Sequence, residues 1–140
     1  MKKYILSTPL FLIVLMTAGI VFAGVTLQYF TAQSNSEGML VEWKTMDENK
    51  TAKFELERSA GSTDNFIYVA TINARGNNSY YSYQDNSVDV QQGSSSSSIY
   101  YYRLKCVQGS GSYEYTQHIS VIHAVSGIRS TWGSIKAIFR

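Results

Sequence analysis

One run, Ile99-Tyr100-Tyr101-Tyr102-Arg103-Leu104-Lys105-Cys106-Val107, constrains the fold more than any other part of the chain. It is aromatic and β-branched and lacks Gly and Pro. Loop-forming stretches flank it, Gln91 to Ser98 before and Gln108 to Ser112 after. That is the composition of a strand. A period of two puts Tyr100, Tyr102, Leu104 and Cys106 on one face and Tyr101, Arg103, Lys105 and Val107 on the other. Leu104 and Cys106 mark the first face as core; Arg103 and Lys105 mark the second as facing solvent. Such a strand sits centrally in a sheet with one buried side, so the remaining strands are expected to wrap around it.

Six further segments read as strands. They are Val25 to Gln33, Met39 to Lys44, Phe54 to Arg58, Phe66 to Ala74, Tyr80 to Asp85 and Tyr113 to Val125, the last bent or interrupted near Gln117-His118. Met39, Val41 and Trp43 alternate with Glu42 and Lys44, so the first three face inward. Phe54 and Leu56 face inward between acidic neighbours. Tyr81 and Tyr83 share a face. Thr45 to Lys53 reads as a polar loop, and Asn86 to Ser98 as a long connection. Eleven Tyr and a single Pro, with abundant Gly and Ser, favour an all-β fold over helices. Seven short strands with regular turn signals predict an antiparallel β-sandwich or barrel. No helical pattern separates a strand pair, which argues against βαβ folds.

The N-terminus differs in kind. Lys2 and Lys3 precede an apolar run from Leu10 to Ala23, and Val21-Phe22-Ala23 suits cleavage after Ala23. Residues 1–23 are therefore expected to be a helical secretory signal peptide, and the protein to be exported to the periplasm, cell surface or medium. The alternative is an uncleaved N-terminal anchor. The apolar run is shorter than the roughly 20 residues of a typical span. Removing Lys2 and Lys3 leaves ten basic and ten acidic residues, and the tail from Ile128 takes three of the bases. The body is then net acidic, without the basic stripe that nucleic acid needs. Cys106 is the sole cysteine, so no intramolecular disulfide forms.

The sequence carries little that resembles catalytic machinery, and no enzyme activity, metal or cofactor is expected. His118 and His123 stand five residues apart and point to opposite faces of a regular strand, which does not suit a shared metal. Cys106 and His118 lack an orienting third group. Asp47-Glu48, Asp85 and Asp89 read as solvated loop acids with too few ligands for calcium. Tyr101, Arg103, Tyr113 and Tyr115 are the candidate binding residues, an aromatic face able to stack on sugars or anchor a protein. The competing reading is that Tyr favours pleated sheets and pairs across strands.

Several blocks together resemble a bacterial fibronectin type III-like domain found in secreted and surface proteins of Bacteroidota and related phyla. They are Trp43-x-Thr45-x-x-Glu48, Phe54-x-Leu56-Glu57-Arg58-Ser59, then Phe66, Val69, Ile72 and Gly76, then Tyr81-Ser82-Tyr83-x-Asp85 and Tyr101-Tyr102-Arg103-Leu104-Lys105. The resemblance spans about Leu27 to Val125. Lys50 stands where that family usually has Asn. The resemblance implies a seven-stranded immunoglobulin-like sandwich, with strands one, two and five packed on strands three, four, six and seven. Trp43, Phe54, Leu56, Tyr102 and Leu104 would form its core. Tyr102 would be a corner tyrosine whose hydroxyl is tied to backbone upstream.

The sandwich is expected to occupy 24–127. Beyond it, Ile128, Trp132, Ile135 and Phe139 fall at helical spacing beside Lys136 and Arg140, a short cationic amphipathic tail at 128–140. Trp132, Ile135, Lys136 and Phe139 are its candidate contacts with a membrane surface, a partner or a sorting device. The function read from the whole is a non-catalytic exported module for adhesion, protein interaction or envelope structure, with a protein or glycan partner at the cell surface. The alternatives are a small carbohydrate-binding module and an accessory or inhibitor of an exported hydrolase.

Overall fold

A computed structural model describes residues 24–88 and 98–123. The expected leader at 1–23 and tail at 128–140, with Trp132, Ile135, Lys136 and Phe139, lie outside the described residues, as does Asp89. The described chain is all β. Its strands are β1 (Thr26–Asn35), β2 (Gly38–Asp47), β3 (Thr51–Ala60), β4 (Ile67–Asn73), β5 (Tyr80–Asp85), β6 (Ser98–Gln108), β7 (Tyr113–Tyr115) and β8 (Ile119–His123). No described helix is long and apolar enough to cross a membrane.

The strands form two antiparallel sheets, one ordered β1-β2-β5 and one ordered β4-β3-β6-β7, with β8 also paired to β6. The run that opened the sequence reading is β6, and it is central: β3 lies on one side, and β7 and β8 share the other. Its alternation is as expected from Tyr102 onward, with Tyr102, Leu104 and Cys106 buried and Arg103, Lys105 and Val107 half-exposed, whereas Tyr100 on the expected core face is only half-buried. Met39, Val41 and Trp43 of β2 and Phe54 and Leu56 of β3 are fully buried. Trp43 ties the layers together. It stacks on Tyr81 of its own sheet (centroids 5.1 Å, rings 10° apart) and meets Phe54 of the opposite sheet edge-on at 5.9 Å. Edge-to-face and offset-stacked pairs like these contribute beyond the area they bury.

Three expectations need correction. The last segment is interrupted near Gln117-His118, as expected, but its pieces pair with β6 as separate strands, so the described residues hold eight strands where seven were expected. At the break, Thr116 N–H donates to Leu104 O at 2.9 Å, and Leu104 N–H donates to Thr116 Oγ1 at 3.0 Å. A side-chain hydroxyl takes a backbone position in the ladder there, so the chain steps before β8 begins. The polar loop Thr45 to Lys53 contracts to a corner at Glu48, Asn49 and Lys50. Asn49 and Lys50 both have positive φ, 43° and 62°, and Thr51 N–H closes the corner on Glu48 O at 2.8 Å.

The third correction concerns polar groups. Glu48 and Asp85 are not solvated loop acids; both are buried. Glu48 accepts from Tyr81 Oη at 2.5 Å, Thr45 Oγ1 at 3.1 Å and Gly76 N–H at 2.8 Å. Its own N–H donates to Asn77 Oδ1 at 2.8 Å. Asp85 receives Arg58 Nη1 at 2.5 Å, Tyr102 Oη at 2.9 Å and Ser87 Oγ at 2.6 Å. The Tyr102 hydroxyl is thus tied to a carboxylate, not to backbone. A full charge in the interior needs this density of donors to offset lost hydration. Asp85 pairs with Met39 at the start of β2, while Glu48 follows the end of β2, so the two clips close opposite ends of the molecule. Burial works to raise the Asp85 carboxyl, but the Ser87 and Tyr102 hydroxyls and the Arg58 guanidinium outweigh it and hold it below the usual carboxylate range.

Candidate binding face

The four candidate residues Tyr101, Arg103, Tyr113 and Tyr115 come together on the outer face of the five-stranded sheet. The period of β6 sets two of them there, with Lys105 between Arg103 and Val107. β7 pairs Lys105 with Tyr115 and Val107 with Tyr113, so both tyrosines stand on the same side. Both are largely exposed, at 57% and 45%.

The side chains form three parallel rows. The first, on β3, is acidic: Glu55 and Glu57. The second, on β6, is cationic. Arg103 Nε reaches Glu57 at 2.7 Å and Lys105 Nζ reaches Glu55 at 3.2 Å, with Lys53 adding a contact to Glu55 at 2.7 Å. The third row is aromatic. The Arg103 guanidinium lies 3.9 Å from the Tyr115 ring centre and 4.1 Å from that of Phe66, and Lys105 Nζ lies 4.5 Å from that of Tyr113. Each cation therefore meets a carboxylate and at least one ring. Hydrogen bonds from Lys53 and Lys105 pull the Glu55 carboxyl below its ordinary value, and Glu55 raises Lys105 in turn. Surface ion pairs alone contribute little. A guanidinium held by two rings and a carboxylate is instead fixed in one position.

Beyond Arg103 the face continues along β6. Tyr101 meets His118 edge-on at 5.6 Å, and Phe66 lies 6.5 Å from the same imidazole. Ile99 then stands opposite Ile122 of β8, both exposed. The result is a continuous strip from Tyr113 to Ile122, apolar at both ends and charged in the middle. Exposed aromatic and aliphatic side chains gathered on one face around fixed charges make a candidate contact surface. The sequence reading missed Phe66, His118, Ile99 and Ile122. Ile99 was legible, since it shares the parity of Tyr101. Phe66 and His118 reach the face from segments that flank strands, where a period of two gives no direction.

The other candidate chemistry is dispersed. Cys106 is buried between the sheets, its thiol pushed up to about 12 by burial, whereas His118 is on the outside, so the two do not meet. His123 faces inward, with Nδ1 2.6 Å from Ser34 Oγ. Among the described residues, no three His, Cys, Asp or Glu side chains gather in a metal-binding group. No family model, curated protein or solved structure matches the chain.

Proposed function

We propose that the chain is a non-catalytic, exported β-sandwich module of the fibronectin type III-like kind. It holds a protein partner at the cell surface or within the envelope through the outer face of its five-stranded sheet. The observation that carries this reading is the cation–aromatic strip of Tyr113, Lys105, Tyr115, Arg103 and Phe66. Tyr and Arg are the side chains most often found at the energetic centre of protein interfaces. Glycan binding is the less favoured use of the same face. A sugar stacks on an open, flat ring, but the Tyr113 and Tyr115 rings lie 73° apart, and each has a cation over it.

A photo-crosslinking residue in place of Tyr113, in cells producing the full chain, tests the proposal. The expected result is one discrete protein adduct that disappears in the Tyr115→Ala background, while circular dichroism of the purified variant is unchanged. The absence of any adduct, or an adduct indifferent to Tyr115→Ala, overturns it. Glycan-array binding lost on Tyr115→Ala would move the function to carbohydrate.

A further inference from the structure

Glu114 is the inward-facing residue of β7, between the exposed Tyr113 and Tyr115. Among the described residues no cation pairs with it. It lines an open cleft of about 340 Å3 with Gly24, Val25, Leu27 and Cys106. A half-buried carboxylate without a counter-charge is costly, so the question is what it faces. It faces the beginning of the sandwich. Oε1 accepts the Val25 N–H at 2.6 Å. A Cβ at Gly24 would stand 2.5 Å from Oε2 and 2.9 Å from Cδ, so the carboxylate lies directly against the Gly24 backbone, and a larger residue would require the Glu114 side chain to shift. The Gly24 nitrogen shares its Cα with that position, which puts it within about 5 Å of Oε2.

We propose that the bond between Ala23 and Gly24 is hydrolysed and that the new α-ammonium of Gly24 becomes the missing counter-charge of Glu114. The inference rests on the export reading above and adds to it a docking site for the processed end. A membrane-associated leader peptidase adds water across the amide. The C–N bond breaks, and Ala23 keeps the hydroxyl and ionises to a carboxylate. The Gly24 nitrogen keeps its hydrogen and takes up protons to become an ammonium. Before the cut, the described residues at this end of the chain offer Glu114 only backbone amides, with no cation. After it, the ammonium and the Val25 N–H converge on the two oxygens of one carboxylate, and charge-assisted hydrogen bonds of this kind are the stronger sort. Processing thereby completes the edge where β1 begins beneath β7.

The test uses the full 140-residue chain produced in an export-competent bacterium. N-terminal sequencing of the exported protein is expected to begin at Gly24. An α-amine-selective label at about pH 7.5 should react roughly tenfold more slowly with the native protein than with the same protein unfolded in urea, the ratio for a one-unit rise in the amine's pKa. Glu114→Gln keeps an acceptor for Val25 N–H but removes the charge, so it should label close to the unfolded rate. If Glu114→Gln does not fold, the native-to-unfolded ratio of the natural chain still decides. A chain that begins at Gly24 but labels equally fast folded and unfolded overturns the pairing and leaves export standing. An exported chain that begins elsewhere overturns processing at this bond. A chain that keeps Met1 in the membrane overturns both this inference and the export reading.

Discussion

Lys50 holds a left-handed backbone, φ 62°, at the β2–β3 corner, next to Asn49 in the same region. A Cβ there sits too close to the carbonyl oxygen, at a cost of about 1–2 kcal/mol that glycine avoids and asparagine reduces. Lys50→Gly is expected to raise stability by about 0.5–1 kcal/mol in urea melts, since Lys50 is exposed. The buried acids teach the opposite lesson. Glu48 and Asp85 are flanked in sequence by polar residues, and nothing local marks them as interior. Thr45 and Ser87 are local donors, but the rest come from far along the chain: Gly76 is 28 residues from Glu48, and Arg58 is 27 from Asp85. A carboxylate's burial depends on such partners, which no local pattern reveals. Thr45, Glu48, Gly76 and Tyr81 proved to build one clip and Arg58, Asp85 and Tyr102 the other. Most of these residues therefore serve the structure of the sandwich.

Among elements, the alternating middles of strands were legible, and so was the place of the interruption in the last segment, but not its mechanism. β2 and β6 keep a period of two through their middles and β3 keeps it around Phe54 and Leu56; Met39, Val41, Trp43, Phe54, Leu56, Tyr102, Leu104 and Cys106 are buried, while Tyr100 is only half-buried and β3 shifts register beside Thr51 and Leu56. The interruption between β7 and β8 falls where it was expected, near Gln117-His118; what hydrophobicity does not reveal is that the Thr116 hydroxyl takes a ladder position there. The β1–β2 hairpin also hides its constraint. Gly38 has φ 140°, and a Cβ there would lie 2.2 Å from the backbone oxygen of Asp85 on β5. The hairpin end is pressed against its neighbouring strand at the residue that also anchors the Asp85 clip. Gly38→Ala is expected to cost about 1–3 kcal/mol, as for overpacking a filled interior. Denaturant melts would show it, and Gly61→Ala makes a useful contrast: it meets no neighbouring atom but shares a positive φ of 75°. A loss at Gly38 no larger than at Gly61 would rule out the clash as its cause.

For the molecule as a whole, the Arg58–Asp85–Tyr102 group joins the two sheets, since Asp85 belongs to one and Arg58 and Tyr102 to the other. The folded Asp85 pKa is depressed, so its contribution is fully present above the unfolded value near 4 and is lost as pH falls through the lower folded value. Once Asp85 is protonated, Arg58 is left largely buried without a counter-charge. Stability should therefore drop steeply below about pH 4, and Asp85→Asn, already weakened at neutral pH, should show a much shallower drop. Parallel acid titrations followed by tryptophan fluorescence would check this; equal slopes in both proteins would remove the clip from the account.

The Arg103 guanidinium, wedged between Phe66, Tyr115 and Glu57, has a bearing on kinetics. Its rotamers are frozen on folding, so a partner of the kind proposed would find a template already set. Capture by such a face is governed by collision and shape, with no slow rearrangement step and little loss of side-chain freedom on contact.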